Sequence, residues 1–139
     1  MQIELHTRRP FGAHEEDVGA WRVLHVTGEV DAGTAGLLPT LVVYAVRRGA
    51  RQVCLDLSEV ERVDRSGAEA VRRCTRAARY AGGRLALIEP GDPGVAEMLA
   101  DSGVSRDVPH YADRQHLPGM GRPRRGGAKR ADATRPRRP

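Results

Sequence analysis

The chain has 139 residues, of which 40% are hydrophobic and 29% are charged, and its formal net charge is +5. This length predicts one domain with a possible tail. The positive charge is concentrated in residues 121–139, which hold eight basic residues and one acid. The other 120 residues have fifteen basic and seventeen acidic groups and are therefore slightly acidic. Their composition does not indicate nucleic-acid binding.

The periodicity of apolar residues predicts alternating strands and helices. In chain order they are an edge strand over 1–7, a charged loop over 8–20, a strand over 21–27, a helix over 35–48, a buried strand over 52–57, a helix over 66–81, a strand over 84–89, a short helix over 94–100 and a last strand within 104–111. Asp31 and Thr34 are candidate N-caps for the first helix. The first two strands have no helix between them and are expected to pair antiparallel.

This order predicts an α/β fold, with a mixed four- to five-stranded sheet and helices packed mainly on one face. The folded domain is expected to span residues 1–115. Residues 116–139 lack periodicity and are rich in Pro, Gly and Arg, which predicts a basic, disordered tail.

The cellular location is predicted from two absences. The first twenty residues contain no apolar run of signal-peptide length, and no later segment approaches the ~18 apolar residues of a membrane span. Cys54 and Cys74 lie within apolar patterns without metal-ligand spacing and are expected to be reduced, buried thiols. These features predict a cytoplasmic protein.

Signatures of catalysis and of cofactor binding are missing from the sequence. It contains no G-x-S-x-G elbow, no phosphate-binding P-loop and no G-x-G-x-x-G after a strand. The five histidines have no metal-binding spacing, so no metal, cofactor or catalytic residue is predicted. The sequence therefore favours a binding protein over an enzyme.

The segment VDRSGAEAV, residues 63–71, is the strongest functional candidate. Ser66 and Glu69 have the spacing of a helix capping box, although Asp64 could serve as the cap instead. Ser66 also lies where a buried strand leads into a helix, which is an exposed position. Gly67 has no side chain, so a partner's active site could approach closely. A phosphate on Ser66 would add about −1.5 to −2 charges, which a helix N-terminus tolerates and a partner surface shaped for a neutral hydroxyl would not.

The order of segments resembles the STAS domain, and specifically the anti-sigma factor antagonists of bacterial partner-switching systems. The resemblance rests on GEVDAGTA (residues 28–35), VCLDLSEVERVDRSG (53–67), AARYAGGRLALIEP (77–90) and ADSGV (100–104), and covers about residues 1–114. The D-x-S-G element is short, but its place between a buried strand and a helix makes it fairly specific.

The resemblance implies a phosphorylation-gated, non-enzymatic function. In the family, an anti-sigma factor that is also a serine kinase phosphorylates the serine of D-[ST]-S-G. The unphosphorylated antagonist binds that kinase and releases a sigma factor, phosphorylation breaks the complex, and a serine phosphatase restores it. Carried over to this sequence, Ser66 is the phosphoacceptor, with Asp64 and Gly67 as the matching flanks, and Asp31 lies near the partner-binding face. The residues expected to bind the partner are Asp31, Asp64, Arg65 and Gly67.

Two positions depart from the family's pattern. Arg65 stands where a small Ser or Thr is usual, and Ala68 replaces a larger aliphatic residue. Two other functions stay open at this point: an unphosphorylated STAS scaffold subunit of a signalling complex, and a nucleic-acid binder that acts through the arginine-rich tail.

Overall fold

The computed structural model describes residues 10–120, which form a five-stranded sheet and its covering helices. In chain order the elements are β1 (Gly12–Val18), β2 (Trp21–Val30), α1 (Leu37–Arg47), β3 (Gln52–Val63), α2 (Arg65–Ala81), β4 (Arg84–Ile88), α3 (Pro93–Ser102), α4 (Val104–Asp107), β5 (His110–Tyr111) and a 3-10 helix, Arg114–His116. The strand predicted over residues 1–7 lies outside the described residues.

The sheet has the strand order β1-β2-β3-β4-β5, so each strand lies beside its neighbours in sequence. β1 and β2 form an antiparallel hairpin, and the remaining pairs are parallel. The carboxyl ends of β2 and β3 therefore meet at one edge of the sheet, where the chain leads into α1 and α2. The predicted α/β fold with a mixed sheet is confirmed.

All four α-helices pack on the same face of the sheet. Their buried residues join those of the strands in one apolar cluster that includes Leu38, Val42, Val71, Val95 and Val104. α2 buries small residues at helical spacing, among them Ala70, Cys74 and Ala78, and these short side chains let the helix approach the sheet closely. The predicted arrangement of helices on one face is confirmed.

The opposite face of the sheet is covered by the chain that follows β5. Leu117, only 2% exposed, packs in a second apolar cluster with Trp21, Val23, Cys54, Ala86 and Ile88. The indole Nε1 of Trp21 also donates a 3.0 Å hydrogen bond to the carbonyl of Pro118. The packed part of the chain thus continues past the boundary that the sequence suggested at residue 115.

One predicted segment differs from the structure. The loop predicted over residues 8–20 is wrong, because Gly12–Val18 forms the edge strand β1. The last short strand predicted within residues 104–111 is confirmed as β5, the pair His110–Tyr111, and α4 precedes it in that range. The helices at α1, α2 and α3 and the strands β2, β3 and β4 lie where they were predicted, with changed ends.

Both cysteines are free and buried, one on each face of the sheet, as Cys54 belongs to the second cluster and Cys74 to the first. Burial raises the pKa of each thiol to about 12. Since the thiolate is the reactive form, we expect neither cysteine of the native protein to react with a maleimide at pH 8 while both react in guanidinium. Rapid labelling of the native protein would contradict this packing.

Candidate functional site

Ser66 lies at the second position of α2, at the sheet edge where β2 and β3 end. Its side chain is exposed, and its hydroxyl makes no hydrogen bond to any group of residues 10–120. The serine is therefore accessible to another protein without disturbing a contact of the fold. This agrees with the exposure expected at a strand-to-helix junction.

The cap of α2 is Asp64 and not Ser66. The Asp64 carboxylate accepts a 2.8 Å hydrogen bond from the backbone N–H of Gly67, the third residue of the helix. The alternative cap is thus confirmed, and the Ser66–Glu69 capping box is wrong. Because Asp64 satisfies the exposed end of the helix, the Ser66 hydroxyl stays free.

Asp64 also joins the two turns at this edge of the sheet. Its other carboxylate oxygen accepts a 3.3 Å hydrogen bond from the N–H of Ala32, in the turn between β2 and α1. The Asp64 N–H in turn donates to the carbonyl of Val30, 3.3 Å away. Asp64 therefore bonds both to the turn that carries Asp31 and to the helix start that carries Ser66.

Asp31 is engaged within its own turn. Its Oδ1 accepts hydrogen bonds from the N–H groups of Gly33 and Thr34, at 3.0 and 3.2 Å, and the Thr34 hydroxyl accepts one from the Asp31 N–H at 3.1 Å. The expected caps of the first helix thus stabilise the preceding turn, and α1 itself begins after Gly36 without a side-chain cap. The structure brings the Asp31 turn beside the start of α2, as the sequence expectation required.

Gly67 has a structural reason for lacking a side chain. It is buried, and a Cβ at this position would lie 2.2 Å from the carbonyl oxygen of Val30. The glycine therefore lets the first turn of α2 rest directly on the end of β2. Its packing is internal, in contrast to the open approach for a partner that the sequence suggested.

Arg65 is exposed beside Ser66 and forms no ion pair or hydrogen bond through its side chain with residues 10–120. Its side chain is long and flexible enough for the guanidinium to reach a phosphate on Ser66 or a carboxylate of a partner. The positive end of the α2 dipole adds to this charge. Ser66 therefore has positive groups beside it as well as the carboxylates of Asp64 and Glu69.

We expect Asp64→Ala to lower the free energy of unfolding by about 1–2 kcal/mol through loss of the cap. Asp92 caps α3 in the same way, through Val95 N–H at 3.0 Å, but has no second bond like the one from Asp64 to Ala32. Asp92→Ala is therefore a matched control and should cost less. Urea denaturation of both variants checks the difference, and equal losses would show that the bridge to Ala32 contributes nothing.

A second polar cluster was not predicted. Both ring nitrogens of His25 on β2 lie within hydrogen-bond distance of a carboxylate, Nδ1 at 2.9 Å from Asp56 on β3 and Nε2 at 2.7 Å from Glu16 on β1. Glu16 also pairs with Arg114 at 3.0 Å. The His25 hydrogen bond, together with the Arg114 charge, lowers the pKa of the Glu16 carboxyl. These contacts tie the chain after β5 to the sheet.

This cluster lacks the geometry of a catalytic triad. The nearby Ser58 hydroxyl donates to Asp56 at 2.7 Å, whereas a nucleophilic serine needs its hydroxyl against the histidine. No group of three or more potential metal ligands is found within residues 10–120. No helix in that range is long and apolar enough to cross a membrane.

Comparison with known proteins supplies the family. The family model described as "Mlab, STAS domain" matches residues 14–110. The chain belongs to the STAS domain family. Curated protein sequences give no match to it.

Solved structures show the same fold. The chain is similar to an anti-sigma factor antagonist from Mycobacterium paratuberculosis, with a TM-score of 0.66 at 21% identity over 76% of this chain and 89% of the other. It is also similar to the antagonist SpoIIAA in its unphosphorylated form, with a TM-score of 0.61 at 20% identity over 76% of this chain and 93% of the other. For the Bacillus SpoIIAA in its phosphorylated form the TM-score is 0.55 at 19% identity, over 76% of this chain and 96% of the other. At these identities the likeness establishes the fold that the STAS domain shares with these antagonists.

Proposed function

We propose that this STAS domain is an anti-sigma factor antagonist whose binding to an anti-sigma factor kinase is gated by phosphorylation of Ser66. The observation that carries the proposal is the free, exposed Ser66 hydroxyl at the start of α2, held between Asp64 and Gly67. SpoIIAA, whose fold this chain shares, occurs in an unphosphorylated and a phosphorylated form.

The mechanism follows from charge at a rigid surface. Unphosphorylated, the start of α2 and the Asp31 turn offer the kinase a neutral hydroxyl on a pre-organised surface, and the kinase releases its sigma factor on binding. A phosphate adds about −1.5 to −2 charges at Ser66. The first turn of α2 tolerates them, because its N–H groups and dipole favour negative charge, so the fold persists while the complex breaks.

In this proposal the protein is a non-enzymatic regulator of transcription in the cytoplasm. Asp64 and Gly67 position Ser66 and need not touch the kinase, whereas Arg65 and the Asp31 turn are exposed enough to contact it. A serine phosphatase that removes the phosphate resets the switch, and stress signals would act on the balance between kinase and phosphatase.

The test is transfer of phosphate from ATP to the protein by the anti-sigma factor kinases of the source organism, each assayed separately. The tryptic peptide Ser66–Arg72 (SGAEAVR) should gain the mass of one phosphate, and the Ser66→Ala protein should gain none. If every kinase leaves this peptide unmodified yet one of them binds, the protein is instead an unphosphorylated STAS scaffold. Phosphate at another serine would also overturn the proposal.

The rival function, nucleic-acid binding through the tail, is separated by truncation. The truncated variant should end at Met120 and not at Gln115, because Leu117 and Pro118 contact Trp21. Their removal would expose the second apolar cluster. Under our proposal the truncated protein keeps its kinase binding. Loss of DNA or RNA binding together with unchanged phosphorylation would assign a separate role to the tail.

A further inference from the structure

The outer surface of α2 is rich in arginine. The helix lies between α1 on one side and α3 and α4 on the other, and its buried residues face the sheet. The exposed residues recur every three or four positions and so share one outer face. They are Arg65, Ser66, Glu69, Arg73, Arg76, Arg79 and Tyr80. We call the four arginines of this set the α2 arginine face.

These four guanidiniums have no carboxylate partner among residues 10–120. The single acid on the same surface, Glu69, lies 3.9 Å from Arg72, which also pairs with Asp107 at 3.4 Å. Arg72 thus has two carboxylate partners within the domain, whereas the four arginines of the outer face have none among residues 10–120. The result is a row of four arginines with a single carboxylate, that of Glu69, among the exposed residues of the same helix face.

The row begins at Ser66. Arg65 is adjacent to the serine in sequence, and the other three arginines follow along the same helix. A kinase that places its active site over the first turn of α2 covers this end of the row and extends toward its middle. Arginine binds carboxylates through a planar fork of N–H donors, so the complementary surface is one that presents Asp and Glu side chains.

We propose that the partner that recognises Ser66 has an acidic docking surface that lies along the α2 arginine face. This inference rests on the proposed function and adds the chemistry of the partner to it. It also gives Arg65 a role, because an arginine beside the acceptor suits an acidic substrate groove. A phosphate on Ser66 brings negative charge to the same end of the row and opposes the attraction, so docking and switching act through the same charges.

The experiment compares two double variants of the full-length chain against the kinase found to phosphorylate Ser66. Arg73→Glu/Arg76→Glu reverses charge on the arginine face. Arg51→Glu/Arg84→Glu makes the same change in net charge at the opposite end of the sheet, where β3 and β4 begin, and the exposed side chains of these arginines also form no ion pair within residues 10–120. Association rates are measured over a series of NaCl concentrations.

Because charge complementarity acts mainly on the association rate, we expect the Arg73/Arg76 variant to associate at least about tenfold more slowly at low salt and to lose most of the salt dependence. The Arg51/Arg84 variant should stay within about threefold of the wild type, the range left by net charge alone. Equal effects of the two variants, or no effect of either, would overturn the docking surface while Ser66 phosphorylation stands.

A partner-independent measurement keeps the inference testable if no kinase acts on Ser66. The ¹⁵N-labelled full-length protein is titrated with an oligoglutamate peptide and, separately, with a short DNA duplex. Amide shifts along α2 with the peptide, absent from the Arg73/Arg76 variant, support an acidic protein partner. Amide shifts confined to residues 121–139, or amide shifts along α2 caused by the duplex and not by the peptide, would refute the acidic docking surface.

Discussion

Ser66→Asp should weaken binding to the anti-sigma factor kinase by about a hundredfold relative to Ser66→Ala, which should bind constitutively. Juxtaposed like charge at an interface costs several kcal/mol, and each ~1.4 kcal/mol is a factor of ten in affinity. The aspartate carries one negative charge and a phosphate up to two, so the phosphorylated protein should bind more weakly still. Titration calorimetry with each variant gives the dissociation constants.

The size of this effect depends on Arg65. A carboxylate or phosphate on residue 66 has a neighbouring guanidinium without another partner in the described chain. If Arg65 folds back to pair with the new charge, the partner senses less of it. Ser66→Asp in an Arg65→Ala background should therefore bind more weakly than Ser66→Asp alone, once the loss from Arg65→Ala itself is subtracted in a double-mutant cycle.

A matched control uses another exposed serine. Ser105 on α4 is exposed, and Ser105→Asp adds the same charge outside the segment that carries Ser66. It should change kinase affinity less than about threefold. Similar affinities for Ser66→Ala and Ser66→Asp would disprove gating at this serine, whatever the control shows.

The sequence identified the regular elements wherever one face is buried and the other is not. α2 shows this best, since small apolar residues and arginines alternate at helical spacing along its length. β1 could not be found in this way. Three of its seven residues are acidic, and both of its faces are largely exposed, so no alternation marks Gly12–Val18 as a strand. Pairing with β2 forms it.

The cap of α2 shows why local patterns were not enough at the site. Asp64 and Ser66 lie two residues apart, and each has the chemistry of an N-cap. The choice depends on where the helix starts, and that is set by contacts distant in sequence: Asp64 to Ala32, and Gly67 to Val30. No periodicity within residues 63–71 contains this information.

The His25 cluster was missed for a related reason. A strand pattern shows which face a residue occupies, but not which residues of neighbouring strands stand opposite. His25 lies opposite Asp56 because of the parallel register of β2 with β3. It reaches Glu16 because β1 pairs with β2 and brings Glu16 beside it. Leu117 and Trp21 are also far apart in sequence, and Leu117 lies in a stretch with little periodicity, so their contact could not be predicted from a local pattern.

Gly67→Ala should lower the free energy of unfolding by about 2–3 kcal/mol, in spite of the better helix propensity of alanine. The new Cβ would stand 2.2 Å from the Val30 carbonyl oxygen and 2.9 Å from its carbon, and both are backbone atoms of a buried strand end. Neither can rotate away as a side chain could. The first turn of α2 must therefore move off β2.

That movement carries Ser66 with it. Asp64 would lose its alignment with Ala32, and the turn that holds Asp31 would separate from the helix start. We thus expect Gly67→Ala to lose kinase binding as well as stability, with amide shifts concentrated in residues 30–34 and 64–68. The D-x-S-G glycine acts on function through the position of the serine.

Gly36→Ala is the control for this prediction. Gly36 precedes α1 with right-handed helical backbone angles (φ −66°, ψ −18°), and a Cβ there meets nothing within 4 Å. Its change in stability should stay below about 1 kcal/mol. If Gly67→Ala proves as stable as Gly36→Ala in urea, α2 does not rest on the end of β2 as described, and the positioning of Ser66 must have another cause.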